Sequence, residues 1–146
     1  MPDLLAQGHV RGPAAPPIVD AVQDELSRVW DQAFVIDPTD RMPFELAVVE
    51  VVTNAVRHAK PDSDEEADEV ELDLEVEVRR DLLLARLFEL GAQPLEIPES
   101  AGTMPGPESE AGRGLALARQ LLTTITCERR DGANVWTLTR SADGKA

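Results

Sequence analysis

The stretch Phe44-Glu-Leu-Ala-Val-Val-Glu-Val-Val-Thr-Asn-Ala-Val-Arg-His-Ala59 reads as one helix. Its Phe44, Ala47, Val48, Val51, Val52, Ala55, Val56 and Ala59 recur at the i, i+3, i+4, i+7 spacing of a buried face. Glu50, Asn54 and His58 follow one another at four-residue intervals, and Glu50 and Asn54 sit beside the apolar face. A carboxylate and a carboxamide at the margin of a core are costly unless something there needs them, and Asn is a poor helix former, so propensity does not account for Asn54. The pair suits a site with one proton acceptor and one neutral oxygen ligand for a hard cation. The same pair also fits a polar border stripe with a solvated Glu50, and on this helix alone both readings stay open.

Upstream, Leu4 to Arg11 suits a short strand, and the prolines of Gly12 to Pro17 exclude a helix there. Ile18 to Phe34 reads as a helix with Ile18, Val22, Leu26, Val29 or Trp30, and Phe34 inward. Asp37 to Asp40 then forms a turn before the helix at Phe44, and Lys60 and Pro61 end that helix. Downstream, Asp62 to Glu77 holds ten acidic residues and no basic one, so its first part is expected to be a solvated loop. From Val70 the period changes to two: Val70, Leu72, Leu74, Val76 and Val78 alternate with acids, which gives a strand with one buried and one acidic face. A turn at Arg79 to Asp81 leads into Leu82 to Leu90, a more continuously apolar strand suited to mid-sheet. Gly91 to Gly112 is rich in Pro and Gly and lacks Lys and Arg, the character of either a functional lid or a disordered insert. A helix from Gly114 to Ile125 follows, with Leu115, Ala118, Leu121, Leu122 and Ile125 inward. The last hairpin pairs Thr126 to Arg129 with Val135 to Arg140 through Arg130 to Asn134. This order predicts an α+β fold, a two-layer sandwich with a mixed, mostly antiparallel sheet and three main helices on one face.

Composition narrows the function. A chain of 146 residues, 42% of them hydrophobic, suits one domain over 1–146 with an aliphatic core, since there are only three Phe, two Trp and no Tyr. A single Cys, Cys127, excludes an internal disulfide, and no Cys or His cluster offers a zinc site, so a reducing cytoplasm is expected. Met1 to Val10 has neither a basic segment nor a long apolar run, and no stretch is long and apolar enough for a membrane span. The net charge of -14 repels phosphate backbones, which argues against direct nucleic-acid binding; it is compatible with a basic protein partner and equally with a charge that serves only solubility. A metal-dependent hydrolase built on Glu50 and His58 would lack its remaining ligands. Trp30 and Trp136, without a basic groove beside them, fit core or interface positions better than a base-stacking platform.

Gly112-Arg113-Gly114-Leu115 lies where the loop becomes a helix. Unpaired N–H groups and the positive end of the helix dipole favour an anion there, glycine lets a phosphate approach the backbone, and Arg113 adds a fixed charge, although the run by itself fits an ordinary turn as well. Taken in order, Glu50-x-x-x-Asn54 with His58-Ala59, then Glu89-Leu90-Gly91, then the loop, then Gly112-Arg-Gly-Leu-Ala-Leu-Ala-Arg-Gln-Leu-Leu122 resemble the N, G1 and G2 boxes of the gyrase, histidine-kinase and MutL type of ATP-binding fold. Within that superfamily the chain looks most like the small anti-sigma-factor serine kinases of bacteria, over roughly residues 18 to 140.

The resemblance implies a histidine-kinase-like ATPase fold, ATP and Mg²⁺ as cofactors, and Asn54 as the metal ligand. Glu50 would be the general base toward a serine hydroxyl of a protein substrate, or toward water. His58, Glu89, Gly91, Gly112, Arg113, Gly114 and Leu115 would line the nucleotide, and residues 92–111 would form its lid. The implied partners are a sigma factor and an anti-anti-sigma protein, and homodimerisation is common among such kinases. The chain departs from the family pattern at Glu89-Leu90-Gly91-Ala92-Gln93, where Asp-x-Gly-x-Gly is usual, and at Ala133-Asn134, where Gly-Thr is frequent. A non-catalytic interaction module of the same fold therefore stands beside the kinase as the second expectation.

Overall fold

The described residues of this computed structural model are 4–61, 69–94 and 110–142, so the acidic run 62–68 and most of the expected lid lie outside them. In chain order the elements are β1 (Leu4–Pro13), α1 (Pro17–Gln32), α2 (Pro38–His58), β2 (Glu71–Arg79), β3 (Leu82–Leu90), α3 (Glu110–Leu121), β4 (Thr124–Arg130) and β5 (Ala133–Ser141). The strands form one sheet in the order β1-β2-β3-β5-β4, which puts the most apolar strand, β3, in the middle as expected. Each of the four pairings is antiparallel, so the mixed character expected from sequence is absent among the described strands.

Period-two alternation decides which face is buried. Leu72, Leu74, Val76 and Val78 of β2 and Leu83, Ala85 and Leu87 of β3 join one core with Val22, Leu26 and Val29 of α1 and Phe44, Val48, Val51, Val52 and Ala55 of α2. The acids of β2 point away from this core and meet basic side chains of the neighbouring strand: Arg11 Nη2 lies 2.6 Å from Glu71 Oε2, and His9 Nε2 lies 2.6 Å from Asp73 Oδ1. The expected split into an apolar and an acidic face therefore holds.

Several boundaries differ from the sequence expectation for identifiable reasons. Helix α1 starts at Pro17, where the missing N–H costs nothing, and stops at Gln32, so Phe34 is outside it and 74% exposed rather than inward. Helix α2 starts at Pro38 and not at Phe44, because Asp37 caps it, its side chain accepting from Thr39 N at 2.8 Å. Pro43 lies inside α2 and cannot donate to the carbonyl of Thr39, four residues back; Arg140 Nη2 donates to that carbonyl instead, at 3.2 Å. Helix α3 runs from Glu110 to Leu121, four residues earlier at each end than expected, and Ile125 belongs to β4. The last turn is only Asp131-Gly132, both at positive φ (46° and 79°), a two-residue hairpin that returns Ala133 and Asn134 to the strand.

Candidate functional site

The C-terminal half of α2, the turn after β3 and helix α3 meet at one end of the molecule. Helix α3 packs along α2, with Ala118 fully buried and Leu115, Leu121 and Leu122 packed against the core. After β3 the chain bends at Gly91, whose φ of +74° suits glycine, and its N–H donates to Gly132 O at 3.1 Å. Ala92 then bridges to Pro61, and Gln93 N–H donates to Lys60 O at 2.8 Å, so the end of α2 is stitched to the turn after β3.

Glu50 and Asn54 stand half-buried on α2, beside the fully buried Val51, Val52 and Ala55. Asn54 Oδ1 is buried and has no hydrogen-bond partner among the described residues. Buried polar atoms are almost always paired, because an unmade hydrogen bond retains its full desolvation cost. An amide oxygen left this way is a neutral, hard ligand of the kind Mg²⁺ takes. Among the described residues no cluster of three or more His, Cys, Asp or Glu could hold a metal ion. A cation at Asn54 would accordingly draw most of its ligands from phosphate oxygens and water. The donor chemistry at this end of the site thus fits a metal-bound phosphate group.

The other expected contacts are arranged as follows. His58 closes α2 and is exposed, where its ring and Arg57 suit the negative end of the helix dipole. The backbone of Gly112, Arg113 and Gly114 lies in the first turns of α3, and the N–H of Gly112 is among the four that a helix start leaves without intrahelical partners. Their side-chain surroundings lie outside the described ones. Leu115 is half-buried against the core.

Glu89 has a different environment from Asn54. It ends the helix-facing row of β3, paired in register with Asn134 of β5, and is 1% exposed. Asn134 Nδ2 donates to Glu89 Oε1 at 3.0 Å, and Trp136 Nε1 donates to Glu89 Oε2 at 2.7 Å. Asn134 Nδ2 also donates to Gln93 O at 2.8 Å, and Arg129 Nη1 donates to Asn134 Oδ1 at 3.1 Å and to Ala92 O at 2.6 Å. Burial pushes the Glu89 carboxyl above its ordinary pKa, while the bonds from Asn134 and Trp136 and the charge of Arg129 pull it back. The same burial, with the negative charges of Glu89 and Glu128, pushes the neighbouring Cys127 thiol up to about 12, which leaves it unreactive.

Sequence reasoning singled out Glu89, and noted Asn134 as a departure from the family pattern and Trp136 as a core or interface residue, but did not join the three. The signal was the alternation of β5, which places Asn134, Trp136 and Leu138 on one face; it became readable only once the hairpin turn was known to be two residues long.

Residues 12–140, from the end of β1 to the penultimate residue of β5, match the histidine kinase-like ATPase domain family. Among solved structures, the catalytic domain of histidine kinase ThkA is similar, with a TM-score of 0.52 and 13% identity over 92% of this chain and 95% of that one, a likeness of fold. No curated protein matches the chain. An antiparallel five-stranded sheet under three helices, with an Asn oxygen held open beside a Glu on the second helix, is the arrangement over which that match extends, and the chain belongs to the histidine kinase-like ATPase domain family.

Proposed function

We propose that this chain is a magnesium- and nucleotide-dependent protein-serine kinase that phosphorylates an anti-anti-sigma partner and sequesters a sigma factor in a partner switch. The observation that carries this reading is the buried Asn54 Oδ1, without a hydrogen-bond partner among the described residues and one helical turn from Glu50. Asn54 would hold Mg²⁺, and the free N–H groups at the start of α3, that of Gly112 among them, would hold phosphate oxygens. When bound, the nucleotide supplies a transferable phosphoryl group. Glu50, half-buried at the edge of the same helix face, takes the hydroxyl proton of the incoming serine on its carboxylate. Fourteen excess negative charges suit attraction of a basic sigma-factor surface.

Incubation of the pure protein with γ-labelled ATP and a candidate anti-anti-sigma protein tests the reading. Phosphoserine is expected on the partner, and Glu50→Ala should lower the rate by about 100-fold or more while partner binding persists. Full activity in Glu50→Ala would remove Glu50 from the role of base.

One observation favours a second reading. Both Glu89 oxygens are already bonded within the protein, which suits a docking module of this fold that works without a nucleotide. Sigma-factor binding with no phosphoryl transfer and no nucleotide affinity would be its signature.

A further inference from the structure

Turn tips are usually polar, because their central positions project into water and favour Gly, Asn, Asp and Pro. The turn between α1 and α2 is apolar instead. Ile36 N–H donates to Ala33 O at 3.0 Å, which closes a four-residue turn with Phe34 and Val35 at its two central positions. Ala33 and Ile36 are buried and anchor both ends of the turn in the core, while Phe34 and Val35 are 74% and 54% exposed. Met42, 70% exposed, follows in the first turns of α2. A single exposed apolar side chain is ordinary, but neighbours held out on a turn with anchored ends form a preorganised apolar contact. Aromatic and Met side chains are among those that protein interfaces use most.

The helix that leads into this turn is acidic on its outer side. Asp20, Asp24 and Asp31 fall on one side of α1, opposite the buried Val22, Leu26 and Val29, and all three are exposed. None of their carboxylates has a hydrogen bond or ion pair among the described residues. Arg28, the one basic residue of α1, is turned toward β1, where it donates to Glu25 and to Gln7 O. Three uncommitted carboxylates therefore lead to an apolar tip.

We propose that this ridge and tip dock a basic helix with an apolar end, supplied by a partner protein. Its Lys or Arg side chains meet Asp24 and Asp31, seven residues and about 10 Å apart along α1, and its apolar end covers Phe34 and Val35. A second copy of this chain would set like charges against each other along the ridge, and the phosphates of nucleic acids and anionic membranes are repelled, so the charge selects a basic protein. The tip precedes the first turn of α2, whereas Asn54 lies in its last turns. The proposal therefore goes beyond the kinase reading and does not depend on it.

The test is fluorescence anisotropy of three labelled synthetic helical peptides titrated with the full chain. The first carries Lys and Arg on one face and Leu and Phe at one end; the second has Glu for every Lys and Arg; the third keeps the bases and has Gln for every Leu and Phe. The first is expected to bind in the micromolar range, more weakly as salt rises, and the other two at least about tenfold more weakly. Phe34→Ser with Val35→Ser should weaken the first peptide by about tenfold or more. Asp24→Asn with Asp31→Asn should weaken it by about threefold to tenfold and flatten its salt dependence. All four positions are exposed, and an unchanged urea midpoint shows that each variant is folded.

No binding of the first peptide at millimolar concentration, equal binding of the acidic peptide, or unchanged affinity in either folded variant would overturn the proposal. Self-association of the parent chain that Phe34→Ser abolishes would assign the tip to a second copy and overturn it as well. Binding to phosphatidylcholine vesicles that Phe34→Ser abolishes would do the same by assigning the tip to a lipid surface.

Discussion

Asn54 and Glu89 are both polar groups at the edge of the same core, and their partners decide what each can do. Glu89 is satisfied by two donors from β5, so it stabilises the packing of β3 against β5. Asn54 Oδ1 has no described partner, and an unpaired buried oxygen is retained in a fold only against its desolvation cost. A third group, Glu25, shows the behaviour of a carboxylate with a purely structural duty. Arg28 donates to both of its oxygens at 2.8 Å, and His9 N–H donates to one of them at 2.9 Å, which ties α1 to β1. The hydrogen bonds from Arg28, opposed by burial and helped by the His9 N–H, lower its pKa from 4.5 to about 2. A folded pKa below the unfolded one means that the stabilisation is complete above pH 4.5 and is lost as the pH falls from 4.5 toward 2. Urea unfolding across that window should show the midpoint of the parent protein declining more steeply than that of Glu25→Gln. Parallel profiles would show that the pairing does not stabilise the fold.

At the level of elements, helix α2 positions the candidate site, and its first turns are held by a residue 100 positions away in the chain. Arg140 of β5 donates to Thr39 O at 3.2 Å and to Leu121 O at 2.6 Å, and it lies 3.3 Å from the buried Asp40 carboxylate. One guanidinium therefore joins the start of α2, the end of α3 and the sheet. Arg140→Ala should destabilise the protein by about 3 kcal/mol, because it leaves Asp40 buried without its partner charge. Adding Asp40→Ala should recover part of the loss, as measured by urea denaturation; a double variant no more stable than the single one would refute the pairing. This device also explains why the helix start was illegible in the sequence. Pro43 reads as a helix breaker, and nothing local shows that Arg140 takes over the carbonyl that Pro43 abandons. The strands were legible because alternation in Val70 to Val78 depends only on which face meets water, whereas the end of α1 before Phe34 depends on the packing of its last turn.

At the scale of the whole molecule, the order of segments carried more information than any one of them. The Glu50 and Asn54 helix, the β3 end and the glycine-containing helix start are far apart in sequence, and the sheet order with α3 lying along α2 brings them to one end. That convergence was readable from the family resemblance. The closed Glu89, Asn134 and Trp136 network was not, because it depends on the cross-strand register of β3 and β5, which the two-residue turn at Asp131-Gly132 helps to set.

The central claim, that Asn54 is kept unpaired in order to hold a metal-bound phosphate, is tested most directly by calorimetric titration of Mg-ATP into the parent protein and Asn54→Ala, with urea unfolding of both. The account predicts micromolar binding by the parent, a loss of at least tenfold in the variant, and stabilities within about 1 kcal/mol, since the removed oxygen bonds to nothing in the described fold. Equal affinities in the two proteins, or no binding by the parent at millimolar nucleotide, would contradict it.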